Sequence, residues 1–129
     1  MPDGPSDLTG LRILVVEDNL LLADVVCEAL EQYGCEVIGP FASLHTGLQM
    51  ACHSAIDGAL LDVRLCDGLC FPIAEALEAR HVPYLFLTGY DDERIIPPAH
   101  RRAVRLAKPI DPDGLAAAIS ASCRVPAIH

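Results

Sequence analysis

No apolar run in the 129 residues approaches the roughly 20 that a membrane-spanning helix needs, so a helical membrane span is excluded. The N-terminus, Met1-Pro2-Asp3-Gly4-Pro5-Ser6-Asp7, lacks the positive and apolar regions of a secretory signal, and a cytoplasmic location is expected. Basic residues are scarce, nine against eighteen acidic, for a formal charge of -9. A domain so charged is not built to bind a phosphate backbone, and nucleic acid is not expected as a direct partner. Also missing is any C-x-x-C pair among Cys27, Cys35, Cys52, Cys66, Cys70 and Cys123, and His45, His53, His81, His100 and His129 are scattered. Without compact zinc spacing the thiols read as reduced fillers of small apolar gaps. Cys66 and Cys70, close in sequence to Asp62, leave a redox-sensing reading open.

What remains is a chain of one-domain size with 52% hydrophobic and 21% charged residues. From residue 11 short apolar runs alternate with helical patterns, the signature of parallel strands joined by crossover helices. Arg12-Ile13-Leu14-Val15-Val16 is expected as the first strand, and Leu20 to Tyr33 as a helix with Leu22, Val25, Val26, Ala29 and Leu30 on one stripe, stopped by Gly34. Residues 35–39 read as a second strand, Ser43 to about His53 as a second helix, Gly58 to Asp62 as a third strand and Phe71 to Ala79 as a third helix. Pro83 to Leu87 reads as the fourth strand. Asp92 to Ile96 starts like a helix, but Pro97-Pro98 removes two donors and is expected to break it after about a turn. Residues 103–107 form a fifth strand, and Asp111-Pro112 opens a last helix with Leu115, Ala118, Ile119 and Ser122 on one face. The division expected is a tail over 1–10, one domain over 11–123 and a tail over 124–129, with no output domain.

In an open parallel sheet, ligands bind beyond the carboxyl ends of the strands. Those ends carry Glu17 and Asp18, Asp62, Thr88 and Lys108. Three carboxylates gathered there repel by roughly 4 kcal/mol per pair at 4 Å and an effective dielectric of 20, which calls for a cation. Magnesium, or manganese in its place, suits an oxygen donor set better than zinc. Asp62 then reads as a nucleophile at phosphorus, with Lys108 and the metal taking up charge and the Thr88 hydroxyl bonding a phosphoryl oxygen. Singly each residue has a plainer reading: a helix cap for Asp62, a turn former for Thr88, a solvated charge for Lys108.

Together, Glu17-Asp18, Asp62, Thr88 and Lys108-Pro109 resemble the receiver domain of two-component response regulators over residues 11–123. The resemblance implies a flavodoxin-like (βα)5 doubly wound sheet in strand order 2-1-3-4-5. It implies phosphorylation of Asp62 by a histidine kinase or histidine phosphotransfer protein, and signalling through Thr88 and Lys108. It also implies a metal held by Asp18, Asp62 and the Arg64 carbonyl, with Glu17 acting through water. A homodimer is left open. Three features depart from the family pattern. Arg105 stands where most receivers have Tyr or Phe, Cys66 replaces a proline, and Gly68 comes early. Tyr84 to Tyr90 is similar to a variant subgroup with a Phe-Ala-Thr-Gly-Tyr signature, often stand-alone and paired with HWE-type kinases, with Leu87 in place of the Ala. There Tyr90 is expected to take part of the switch role, and Arg64 and Tyr90 to shield an acyl phosphate.

The function expected is thus a single-domain phosphoacceptor, a shuttle, sink or switch, and not an enzyme beyond self-phosphorylation and self-dephosphorylation. An aspartyl phosphatase needs a second carboxylate two residues on, where this chain has Arg64. A phosphorylation-independent interaction module of the same fold is the alternative, favoured by Arg105 and the broken fourth helix.

Overall fold

The computed structural model describes residues 8–123. Its centre is a five-stranded parallel sheet of β1 (Arg12–Val16), β2 (Glu36–Phe41), β3 (Gly58–Asp62), β4 (Tyr84–Thr88) and β5 (Val104–Ala107). The order is β2-β1-β3-β4-β5. Around it lie α1 (Leu20–Gln32), α2 (Leu44–His53), α3 (Phe71–Ala79) and α4 (Pro112–Cys123). This is the three-layer fold expected from the alternation of apolar runs, in the flavodoxin-like strand order that the resemblance implied.

Successive strand residues point to opposite faces, so each central strand feeds two cores. Ile13, Val15, Leu60, Leu85 and Leu87 face α1 and α4, where Val26, Leu30, Leu115 and Ile119 meet them. Leu14, Val16, Ala59, Leu61 and Phe86 face α2 and α3, against Ala51, Phe71, Ile73 and Leu77. Each fully buried Leu or Ile contributes about 1.5–3 kcal/mol relative to exposure. β3 is buried at all five positions and begins at Gly58, where a Cβ would collide with the Cys123 sulfur and come within 3.3 Å of Ile13 Cδ1. Only glycine lets α4 close on the start of the strand that carries Asp62.

Several boundaries differ from the sequence expectation. Leu8, assigned to the tail, is 1% exposed in the α1/α4 core, and Gly10 N donates to Gly34 O at 2.9 Å. The remaining tail residues, 1–7 and 124–129, lie outside the described residues. β2 runs on to Phe41 because Gly39, at φ +119°, bulges the strand, and Glu17 N then pairs with Phe41 O at 2.9 Å. On α1, Val25 is exposed and Ala23 takes its place in the core. On α4, Ser122 is only partly buried, and Ala116, Ser120 and Cys123 complete the inner face. The loop after Asp62 contains a short antiparallel ladder, Arg64–Leu65 against Gly68–Leu69. Between β4 and β5 there is no α-helix: Pro97 and Pro98 limit the segment to two 3₁₀ turns, Asp92–Ile95 and Pro98–His100.

Candidate functional site

All five strands end at one edge, so the polar residues that follow them converge. Asn19 caps α1 by accepting from Leu22 N at 3.1 Å, and its own N–H donates to Glu17 Oε2 at 2.9 Å. These bonds hold Glu17, 1% exposed, beside the end of β3. Asp62, 3% exposed, accepts from Lys108 Nζ at 2.8 Å, and the same ammonium lies 3.6 Å from Glu17 Oε1. One carboxylate oxygen from each of Glu17, Asp18 and Asp62 lies within 4.8 Å of the others.

Burial pushes the Asp62 carboxyl up to about 7; the bond from Lys108 opposes this and the charge of Glu17 adds to it. Burial lowers the Lys108 ammonium, but its bond to Asp62 and the charges of Asp62 and Glu17 outweigh burial, so its pKa is raised. One ammonium does not satisfy this group of acids. Glu17 Oε1 is buried without a hydrogen-bond partner. Close carboxylate oxygens with an orphaned acceptor among them suit a hard divalent cation that keeps part of its water shell.

Thr88, 5% exposed, turns its hydroxyl toward Leu106 O at 3.5 Å, while its carbonyl accepts from Lys108 N at 2.8 Å. Pairing of Thr88 with Ala107 sets Lys108 one residue beyond the end of β5. The structure thus brings Glu17, Asp18, Asp62, Thr88 and Lys108 to one place. Tyr90 stands in solvent, 93% exposed. Arg105, opposite Phe86 in the ladder, lies with its Nε 2.9 Å from Glu93 Oε1 and donates from a terminal nitrogen to Ala103 O at 3.2 Å.

Two further carboxylates carry weight that their sequence context does not announce. Asp92 accepts from Arg64 Nε at 2.7 Å and from Gly89 N at 2.6 Å, joining the loops that follow β3 and β4. In sequence it reads only as the first turn of a helix; its place four residues after Thr88 was the available signal. Asp67 accepts from Leu44 N at 2.6 Å and His45 N at 3.2 Å, so the loop after Asp62 caps α2 from across space. Those amide bonds hold its carboxyl below the usual range. The redox reading of Cys70 is not supported: it is fully buried, and burial, with the charge of Asp62, pushes its thiol up to about 12.

Comparison with known proteins gives the family. The response regulator receiver domain model matches residues 13–120. The phyllosphere-induced regulator PhyR of Methylorubrum extorquens is 30% identical over 112 residues, 84% of this chain and 42% of that protein, so the chain spans about two fifths of that relative. The solution structure of SdrG from Sphingomonas melonis superposes with a TM-score of 0.77 at 36% identity, covering 88% of this chain and 95% of that one. The receiver domain of the sensor histidine kinase PA1611 from Pseudomonas aeruginosa, solved with a magnesium ion coordinated in its active-site cleft, gives 0.75 at 25% identity, over 88% of this chain and 97% of that one. With the family pattern running from the first buried residue of β1 into α4, and the acidic edge lying within it, this chain belongs to the response regulator receiver domain family.

Proposed function

We propose that Asp62 is a phosphoacceptor that takes a phosphoryl group from a phosphohistidine of a sensor histidine kinase or a histidine phosphotransfer protein. The observation that carries this reading is Lys108 Nζ at 2.8 Å from Asp62 Oδ1 inside a cluster of three carboxylates. A carboxylate oxygen of Asp62 forms the new P–O bond as the P–N bond breaks and the imidazole nitrogen keeps the electron pair. Lys108 stays within reach of the phosphoryl oxygens, and the Thr88 hydroxyl, bonded only weakly at 3.5 Å, exchanges Leu106 O for one of them. Glu17, Asp18, Asp62 and the Arg64 carbonyl would hold magnesium, which when bound neutralises the charge spread over the transferring group.

The Tyr84 to Tyr90 signature supports an HWE-type kinase as the donor, with the domain acting as relay, sink or binding switch. Shielding of the acyl phosphate falls to Arg64 in this reading, since Tyr90 is turned to solvent. The engagement of Arg105 with Glu93 favours a second reading, a module of this fold that works without phosphorylation. Intact-mass measurement after incubation with phosphorylated kinase and Mg²⁺ separates the two. One phosphoryl group on wild type, absent from Asp62→Asn, is the expected result; no adduct on wild type leaves the second reading standing.

A further inference from the structure

Asp62 pairs with Leu87 at the ends of β3 and β4, and Val63 N still donates to Leu87 O at 3.4 Å. Two residues further on, Arg64 and Gly89 both bind one carboxylate, that of Asp92. The Asp92 side chain is 5% exposed and the Arg64 side chain 56%, so a buried anion holds an arginine that reaches it from solvent. Asp92 thus ties together the two loops that leave the paired strand ends at Asp62 and Leu87. Arg64 meets Asp92 through its Nε–H, which leaves the terminal N–H groups of the guanidinium for another acceptor. The neighbouring Glu93 holds Arg105 of β5, so the two acids that open this 3₁₀ turn grip arginines from two different strands.

We propose that Asp92 is a positioning residue that parks the Arg64 guanidinium while Asp62 is unmodified and yields it to the phosphoryl group once that group is in place. This rests on the phosphoacceptor reading. A phosphoryl group carries about two negative charges and offers three oxygens to the planar guanidinium fork, against one charge on Asp92. The exchange frees the carboxylate that also holds Gly89, next to Thr88, so loss of the Arg64 contact is felt in the loop after β4. The turn stays hinged on β5 through Glu93 and Arg105. Arg105 then serves as an anchor in the place where an aromatic rotamer switch is otherwise found.

The experiment is a titration with beryllofluoride, an analogue of the phosphoryl group, in Mg²⁺ buffer, on wild type, Asp92→Asn, Arg64→Gln and the double variant. Asn keeps an acceptor for Gly89 N but gives up the charge that competes for Arg64. Asp92→Asn is expected to bind the analogue about two- to five-fold tighter, the scale of a half-exposed ion pair. The gain is expected to vanish when Arg64→Gln is also present. Equal or weaker binding by a folded Asp92→Asn overturns the proposal, and so does a gain that survives in the double variant. In wild type alone, the Arg64 Nε–H and Gly89 amide resonances are expected to shift together on saturation, and their failure to move overturns it even if Asp92→Asn does not fold. A wild type that takes neither the analogue nor a phosphoryl group overturns the phosphoacceptor reading, and the proposal with it.

Discussion

Lys108 Nζ, 2.8 Å from Asp62 Oδ1 and 3.6 Å from Glu17 Oε1, is the cation that lets two buried carboxylates stand side by side. Lys108→Met removes that cation and keeps most of the stem. In metal-free buffer it is expected to lower stability by about 1–2 kcal/mol, a buried-pair loss discounted for the partly exposed ammonium. An unchanged urea midpoint would show that the ammonium does not offset the acids.

The Asp62 carboxyl, raised from 3.8 to about 7, carries a signed pH dependence. Between those values the folded state binds more protons at Asp62 than the unfolded state, so this group makes stability fall as pH rises through that window. Asp62→Asn removes the slope. With chelator present, the variant is expected to exceed wild type by about 1–2 kcal/mol at pH 8 and to lose the advantage near pH 4, as read from denaturation midpoints across pH.

Magnesium is expected to act in the opposite sense on the wild type. At a hundredfold excess over Kd it stabilises the fold by about 2.7 kcal/mol, and chelator reverses the gain. Asp18→Asn and Asp62→Asn each remove a carboxylate from the cluster and are expected to lose most of this response. A thermal melt with and without Mg²⁺ reads it directly.

Asp67 ties the loop after Asp62 to α2. Asp67→Ala is expected to speed amide exchange at Leu44 and His45, and Asp67→Asn to restore part of the protection. Because its pKa is depressed in the folded state, its contribution is present above the ordinary carboxylate range and is lost as pH falls through the folded value.

Gly58→Ala sets a methyl group against the Cys123 sulfur. A loss of about 1–3 kcal/mol is expected from overpacking, and Cys123→Ala in the same chain is expected to recover part of it. Equal stability of Gly58→Ala and wild type would mean that α4 moves away at little cost.

The strands and the edge they build were legible in the sequence because buried parallel strands read as unbroken apolar runs, and each run ends in a polar residue. Asp62, Glu17 and Lys108 are such endings. Asp92 and Asp67 were not legible as partners, since each acts across the sequence on a chain segment brought near by folding: Asp92 on Arg64, Asp67 on the amides of α2. Val25 fits the helical stripe of α1 by spacing, yet lies just outside the arc that the sheet covers. The short segment between β4 and β5 was readable as a broken helix from its two prolines, but the ion pairs that tie it to Arg64 and Arg105 appear only in three dimensions.

The contact between Asp62 and Lys108 spans 46 residues of chain. Asp62 precedes in the chain the lysine that compensates its charge, and β3 has that cation at its final residue only once β4 and β5 are laid beside it. A contact of that separation carries a larger loop-closure cost than the local turns of the helices, so the charge balance of the acidic edge depends on a fold complete to β5. Chains ending before Lys108 are therefore expected to carry Glu17 and Asp62 without the ammonium that lies against both.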